Sequence, residues 1–227
     1  MGSSTFIIIP AYNEERVIRD ALEPLTRLSH SIVVVDDGST DNTWKTIKEL
    51  PVQALRHAIN LGQGGALATG MTFALKQGAE AIVFFDADGQ HRMEDLTGLL
   101  EPIARKQTDV VFGCRFLRSS DKALVPPLRR FLLKAAVIVN ASMTGIWLHD
   151  AHNGFIAMTR EAALKIRLTE KSFAYHSELL SQVRKLGLRY VERPTTIIYS
   201  DYSRGKGQSM WNALNIVLDL MLGRVFR

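Results

Sequence analysis

The sequence predicts an α/β fold: a mostly parallel central sheet with helices on both faces. Three observations lead there. Over the first 113 residues short β-rich runs alternate with helix-like stretches, the pattern of parallel strands joined by crossover helices. Two of the runs, IVVVDD (32–37) and AIVFFDAD (81–88), are apolar at successive positions, as strands covered on both faces must be. Each run ends in polar, acidic or glycine-rich residues, and in open parallel sheets ligands bind outside the carboxyl ends of the strands.

The elements follow in order. Strands are expected at Phe6–Ile9, Ile32–Val35, Val52–Leu55, Ala81–Phe85 and Val110–Phe112, with helices over 14–28, 41–50, 63–77 and 93–106. Ser39, Thr40 or Asp41 can cap the second helix. The second half is less regular. PPLRRFLLK (126–134) opens a helix running to about Leu148, GFIAM (154–158) reads as a strand, a helix around 175–187 stops at Gly187, and 189–199 reads as a strand. In the last 18 residues Trp211, Leu214, Leu218, Met221 and Val225 share one face, which predicts a C-terminal amphipathic helix. There is no internal repeat, low-complexity tract or linker. One domain is expected over 1–227, with a first half at about 5–115, a second at about 116–207 and the C-terminal helix at 208–227.

Composition bounds the rest. The chain has 227 residues, 46% hydrophobic and 22% charged, enough for one sizeable core and too apolar for disorder. A net charge of +5 and a pI of about 9.4 suit anionic partners without choosing among them. The single cysteine, Cys114, excludes an intrachain disulfide and a cysteine zinc cluster, and a reducing compartment is the simplest expectation. The N-terminus lacks a basic region before a long apolar run, so no signal peptide is expected. The most apolar stretch, 131–148, is interrupted by Lys134 and Asn140 and reads as a buried or interfacial helix.

Five polar clusters follow the five strands: PAYNEE, DDGSTD, RHAINLGQGGA, DADGQH and GCRF. Alone, each has an ordinary reading as a turn or a helix cap. GQGGA fits neither nucleotide-binding glycine pattern, because Gly62 and Gly64 are followed by Leu67 and no P-loop lysine is present. Together, on one predicted edge, the clusters make a site. Asp86 and Asp88, two apart just past a strand, can aim both carboxylates at one hard cation, Mg²⁺ or Mn²⁺, with Gln90 a third oxygen at the same spacing. His91 is the poorer ligand, since a neutral imidazole suits a softer metal. Tyr12 can stack, Glu14 can hydrogen-bond, and Asp36 and Asp37 can accept bonds from a base or ribose. Arg115 and Arg204 can face a diphosphate. His30, His57, His149, His152 and His176 show no ligand spacing and read as structural or surface residues. A nucleic-acid module is disfavoured, because the acidic clusters lie where a phosphate backbone would pass.

PAYNE, VVDDGSTD, NLGQGGA and DADGQH, in this order and spacing, resemble family 2 glycosyltransferases of the GT-A (Rossmann-like) fold, and most closely the branch of dolichol- and polyprenol-phosphate hexose synthases. The resemblance covers about residues 5–207. It implies a donor nucleotide site at Pro10, Tyr12, Glu14, Asp36, Asp37, the NLGQGGA segment with Gly64, and Asp86. Asp86, Asp88 and Gln90 would hold the metal. Arg115 resembles a donor-side or lipid-phosphate arginine. DAHNGF, with Asp150, Asn153 and Gly154, resembles an acceptor-side motif, and Glu178 stands where the family often has an acidic residue. SRGKGQS resembles a loop that puts Arg204 and Lys206 near the donor phosphates.

The implied reaction moves a hexose from a UDP- or GDP-sugar, with inversion. A hydroxyl acceptor needs a general base, which Asp150 could supply; a lipid phosphate is already anionic and needs positive charge to position it, and Asp150 would then orient an arginine or a metal-bound group. Arg129, Arg130 and Lys134, set among apolar residues, have the composition expected beside a lipid phosphate or an anionic membrane surface. Polyprenyl phosphate is therefore the favoured acceptor, a saccharide or lipid-linked glycan hydroxyl the alternative, and a sugar nucleotidyltransferase the reading from another class. The branch often continues into membrane helices, whereas this sequence ends at Arg227 without one. A peripheral position at the cytoplasmic membrane face is expected, with room for a homo-oligomer or a membrane partner protein.

Overall fold

The structure is a computed structural model that describes residues 4–118, 127–150, 153–172 and 174–198, without the side chains of 127–129 and 131–136. The strands are β1 (Thr5–Ala11), β2 (Ser31–Asp36), β3 (Gln53–Arg56), β4 (Ala81–Phe84), β5 (Val110–Cys114), β6 (Ile156–Thr159) and β7 (Tyr190–Pro194). The helices are α1 (Ile18–Leu22), α2 (Thr43–Lys48), α3 (Gln63–Lys76), α4 (Asp95–Ala104), α5 (Pro127–Thr144), α6 (Arg160–Lys165) and α7 (Tyr175–Lys185). The strands form one sheet in the order β3-β2-β1-β4-β6-β5-β7, parallel except for β6, which runs antiparallel to both of its neighbours.

Uninterrupted apolar strands need a cover on each side, and the sheet has both. Ile7, Ile9, Ile32 and Val34 pack with Ile18 and Leu22 of α1, Ile47 of α2 and Leu96, Leu99 and Ile103 of α4. Phe6, Ile8, Val33 and Val35 face the other way, onto Ala66, Leu67 and Met71 of α3, Ala162 and Ala163 of α6 and Leu179, Leu180 and Val183 of α7. Helix α3 lies flush on β1, because a Cβ at Gly70 would stand 2.3 Å from Ile8 Cγ2.

The first expected helix is much shorter than 14–28. Glu14 and Glu15 donate their backbone N–H groups to Thr43 Oγ1 and Asp41 Oδ2 in the neighbouring loop, and after Pro24 only a 3₁₀ turn, Leu25–Arg27, remains. Asp41 also accepts from Thr43 N, so of the three candidate caps it serves the start of α2. The last strand ends at Pro194, short of the expected 189–199. Beyond it, Ile197 makes only an isolated antiparallel bridge to His91. Helix α6, absent from the sequence reading, follows β6 directly, with Thr159 Oγ1 accepting from Ala162 N. The C-terminal helix expected over 208–227 lies outside the described residues. No helix among the described residues is long and apolar enough to cross a membrane.

The topology places the site. β1 leads toward β2 and β3 on one side, and β4 lies on the other, so the chain changes direction between their carboxyl ends, the switch point whose crevice binds ligands in open α/β sheets. β6 runs backwards, and its lead-in, Asn153–Phe155, therefore arrives at that same edge.

Candidate active site

Asp86 and Asp88 sit just past β4, at the crevice. Gln63 Nε2 donates to Asp86 Oδ1 at 2.9 Å, and His91 Nε2 lies 3.0 Å from Asp86 Oδ2. The close approach of Gly154 forms one wall, since a Cβ there would stand 2.5 Å from Asp86 Oδ2. His91 is buried between the rings of Phe85 and Phe155, at centroid distances of 5.4 and 4.9 Å. Tyr175 and His176 stack 4.1 Å apart. Burial and then the Asp86 charge push the Tyr175 phenol well above its ordinary value, so it stays protonated.

The two carboxyls are driven apart electrostatically. Burial would raise Asp86, but the hydrogen bond and charge of His91, the charge of His176 and the Gln63 amide outweigh it and hold Asp86 below the usual carboxylate range. Asp88 is pushed up to about 6, first by burial and then by the Asp86 charge, with Glu14 adding to the effect. That effect of Glu14 brings the first loop to the acidic pair. Among the described residues no lysine or arginine pairs with Asp86 or Asp88, and no group of three or more His, Cys, Asp or Glu side chains is placed to hold a metal. The pair nonetheless fits a hard divalent cation. It is an oxygen-only donor set in which one carboxyl already resists ionising beside another, and Mg²⁺-type ions bind through one or two carboxylates plus substrate phosphates.

The first two loops are knitted together. Asn13, at φ 54°, has its N–H on Ser39 Oγ, and its side-chain carbonyl accepts from Thr40 N. Tyr12 is exposed at 42%, as a stacking platform must be. Pro10 is not in the loop: it lies within β1, in register with Val35. Asp36 is wholly buried, bonded to Ser39 N and 3.0 Å from Arg56 Nε.

Several expected site residues do other work. Asp37 Oδ1 accepts from Leu61 N and bonds His57 Nδ1 at 2.7 Å, and Oδ2 accepts from Gly62 N, so Asp37 holds the loop before α3. His57 spans Asp37 and Thr69 Oγ1, a structural role as expected. Gly64 is closely packed: its N–H donates to Lys171 O, and a Cβ there would meet Glu170 O at 2.0 Å. Glu178, expected near the acceptor, accepts from Thr169 N, Thr169 Oγ1 and Glu170 N, holding the segment on which Gly62 and Gly64 pack. Asn153 is 4% exposed, donates to Thr195 Oγ1 and accepts from Phe155 N, which shapes the Gly154 turn.

Arg115 and Asp150, read from separate motifs, meet in the structure, and Asp150 orients an arginine as expected for a phosphate acceptor. Arg115 Nε and Nη2 donate to Asp150 Oδ2 and Oδ1 at 2.7 and 2.6 Å, and Arg115 N donates to Oδ2 at 3.0 Å. The residues are 5% and 2% exposed. Both Asp150 oxygens thus accept from Arg115, and Arg115 Nε and Nη2 are both given to that carboxylate. Nothing in the spacing of GCRF and DAHNGF says that an antiparallel strand brings them together. Arg204 and Lys206 lie outside the described residues, and Arg129 falls among the undescribed side chains of α5. Gln63, His91 and Tyr175 were not chosen from the sequence. The one available signal was the polar side chain of Gln63 opening a helix at the same edge.

A mostly parallel, two-faced sheet with paired aspartates at its switch point is the arrangement of a GT-A glycosyltransferase. The sequence profile described as Glycosyl transferase family 2 matches residues 6–167, and the chain belongs to that family. It is similar to UDP-N-acetylglucosamine–dolichyl-phosphate N-acetylglucosaminyltransferase of Methanococcus voltae, 31% identical over 97% of each chain. It is also similar to polyprenol monophosphomannose synthase of Mycolicibacterium smegmatis, 31% identical over 85% of this chain and 76% of that one. In fold it resembles glucosyl-3-phosphoglycerate synthase of Mycobacterium tuberculosis, solved with Mn²⁺, UDP and glucosyl-3-phosphoglycerate: TM-score 0.65, 19% identity, 98% of this chain and 80% of that one. The protein is a glycosyltransferase, which sets the nucleotidyltransferase alternative aside.

Proposed function

We propose that the protein transfers a hexose from a nucleoside-diphosphate sugar to a polyprenyl phosphate, with inversion and with Mg²⁺ or Mn²⁺. The observation that carries the choice of acceptor is the Arg115–Asp150 fork. Asp150 is the carboxylate that a hydroxyl acceptor would call on, and both its oxygens already accept from Arg115. A phosphate acceptor arrives with its nucleophilic oxygen ionised and needs no such base. The M. voltae and M. smegmatis relatives, named for transfer to dolichyl phosphate and for polyprenol monophosphomannose synthesis, support the same reading while differing in sugar.

In this reading Asp86 and Asp88 would hold the cation with Gln90, and the cation would supply positive charge against the leaving diphosphate. Tyr12 stacks on the base, Glu14 and Asp36 line the nucleoside side, and Arg204 with Lys206 add charge at the diphosphate. A lipid-phosphate oxygen bonds to the anomeric carbon as the bond from that carbon to the diphosphate oxygen breaks, and no proton moves. Arg129 lies on α5, the helix of the basic apolar stretch, and holds the acceptor phosphate at a peripheral membrane surface.

Incubation with labelled UDP- and GDP-hexoses, Mg²⁺ or Mn²⁺, and either polyprenyl phosphate or short saccharides tests this. Label in the lipid fraction is expected. Label in saccharide alone overturns the acceptor assignment, and no transfer from any donor to either overturns the reading.

A further inference from the structure

Asp86 stands just past the end of β4. It is gripped from both sides, and one grip comes from a residue on a different element. Gln63 is the first residue of α3, and its amide nitrogen reaches Asp86 Oδ1 at 2.9 Å across 23 positions of sequence. The amide can be oriented only this way, because turning it over would press its carbonyl oxygen against a carboxylate oxygen, two acceptors with no proton between them. In that orientation Gln63 Oε1 is buried and has no hydrogen-bond partner among the described residues. Buried acceptors are almost always satisfied, so an exception beside a substrate site marks a group waiting for a ligand hydrogen.

The position of Gln63 is itself built. Gly62, at φ 88°, donates to Asp37 Oδ2, Gly64 donates to Lys171 O, and Cβ atoms at the two glycines would collide with the backbone oxygens of Lys171 and Glu170. Asp37 and Glu178, through the segments they hold, thus fix the start of α3 and with it the donor to Asp86.

We infer that Gln63 is a positioning residue for the acidic pair: its amide N–H holds the Asp86 carboxylate in the orientation that receives the divalent cation, and its carbonyl takes a hydrogen from the bound donor sugar or from water around it. The inference rests on the reading of Asp86 and Asp88 as the cation site. Partners that orient metal-binding side chains change metal affinity by about 10- to 100-fold when removed.

The test is Mn²⁺ binding by the full chain with UDP or GDP present, read from the loss of the free-ion EPR signal, for wild type and Gln63→Leu. Gln63→Leu keeps the volume and loses both polar atoms. A Mn²⁺ dissociation constant raised about tenfold or more, with the metal-free unfolding midpoint unchanged, is the expected result. Should the leucine variant fail to fold, Gln63→Ser, whose hydroxyl is too short to reach Asp86, is expected to show the same weakening. Equal Mn²⁺ affinity in the wild type and a folded variant overturns this inference and leaves the cation site standing. No Mn²⁺ binding by the wild type overturns both.

Discussion

Arg115 holds Asp150 by a two-pronged grip, Nε to Oδ2 at 2.7 Å and Nη2 to Oδ1 at 2.6 Å, with both residues all but removed from solvent. A carboxylate and a guanidinium this deeply placed tie the end of β5 to the lead-in of β6. Removing one partner leaves a buried charge uncompensated, which costs about 3–5 kcal/mol. Asp150→Ala should lower the stability by about that amount in urea unfolding. Replacing both, Arg115→Met with Asp150→Leu, should cost less than the single change. If Asp150→Asn folds, it should retain transfer to lipid phosphate in proportion to its folded fraction; a near-total loss of turnover with donor binding intact would restore Asp150 as a base.

Gly64→Ala should be among the most damaging small substitutions. The added carbon would stand 2.0 Å from Glu170 O, a backbone atom held by Glu178 and unable to move away cheaply. A loss of about 3 kcal/mol, the upper end for overpacking, is expected. Gly65→Ala, where the carbon would meet only the Leu61 side chain at 3.0 Å, should be much milder. Thermal unfolding of the pair separates a packing constraint from a general intolerance of the loop.

Asp88→Ala should abolish cation-dependent binding of a nucleoside diphosphate and leave the fold intact. Asp88 is half-buried beside a like charge, so removing it relieves repulsion in the metal-free protein. Calorimetric titration with Mn²⁺ present checks the first claim, and an unchanged affinity would sink it. The metal-free unfolding midpoint, expected to hold or rise, checks the second.

Asp109 ties β5 to β7 through Arg189, which donates to it from Nε, Nη2 and the backbone N–H. The Arg189 hydrogen bond, opposed by burial, holds the Asp109 carboxyl below its ordinary value of 3.8. A carboxyl lowered by folding contributes stability that is fully present above the unfolded value and lost as pH falls through the folded one. Asp109→Asn should therefore be less stable than wild type at neutral pH, and the gap should close in acid below 3.8. Denaturant midpoints across that range would contradict this if the gap stayed constant.

Much of the fold was legible in the sequence because burial on two faces leaves an unmistakable record. Ile32–Val35 and Ala81–Phe84 have no polar position to spare, and both became central strands. Asp86 and Asp88 were legible for the same reason, since the strand before them fixes where the chain emerges. Boundaries were less legible where the loops bind each other. Nothing local says that Glu14 and Glu15 give their N–H groups to Thr43 and Asp41, or that 14–28 therefore starts its helix late.

The sequence by itself determined the class of the protein, the edge on which the polar clusters gather and the place of the acidic pair just past β4, because each depends on residues close together in the chain. Only the tertiary structure decided what the other charged and polar residues do. Inserting β6 backwards between β4 and β5 brings Asp150 onto Arg115 and Gly154 against Asp86, and packing α3 against residues 170–171 brings Gln63 to the same carboxylate. A carboxylate whose oxygens are taken by a buried arginine and one raised by a neighbouring charge look alike in sequence. They part only when distance and burial set which partner each one meets.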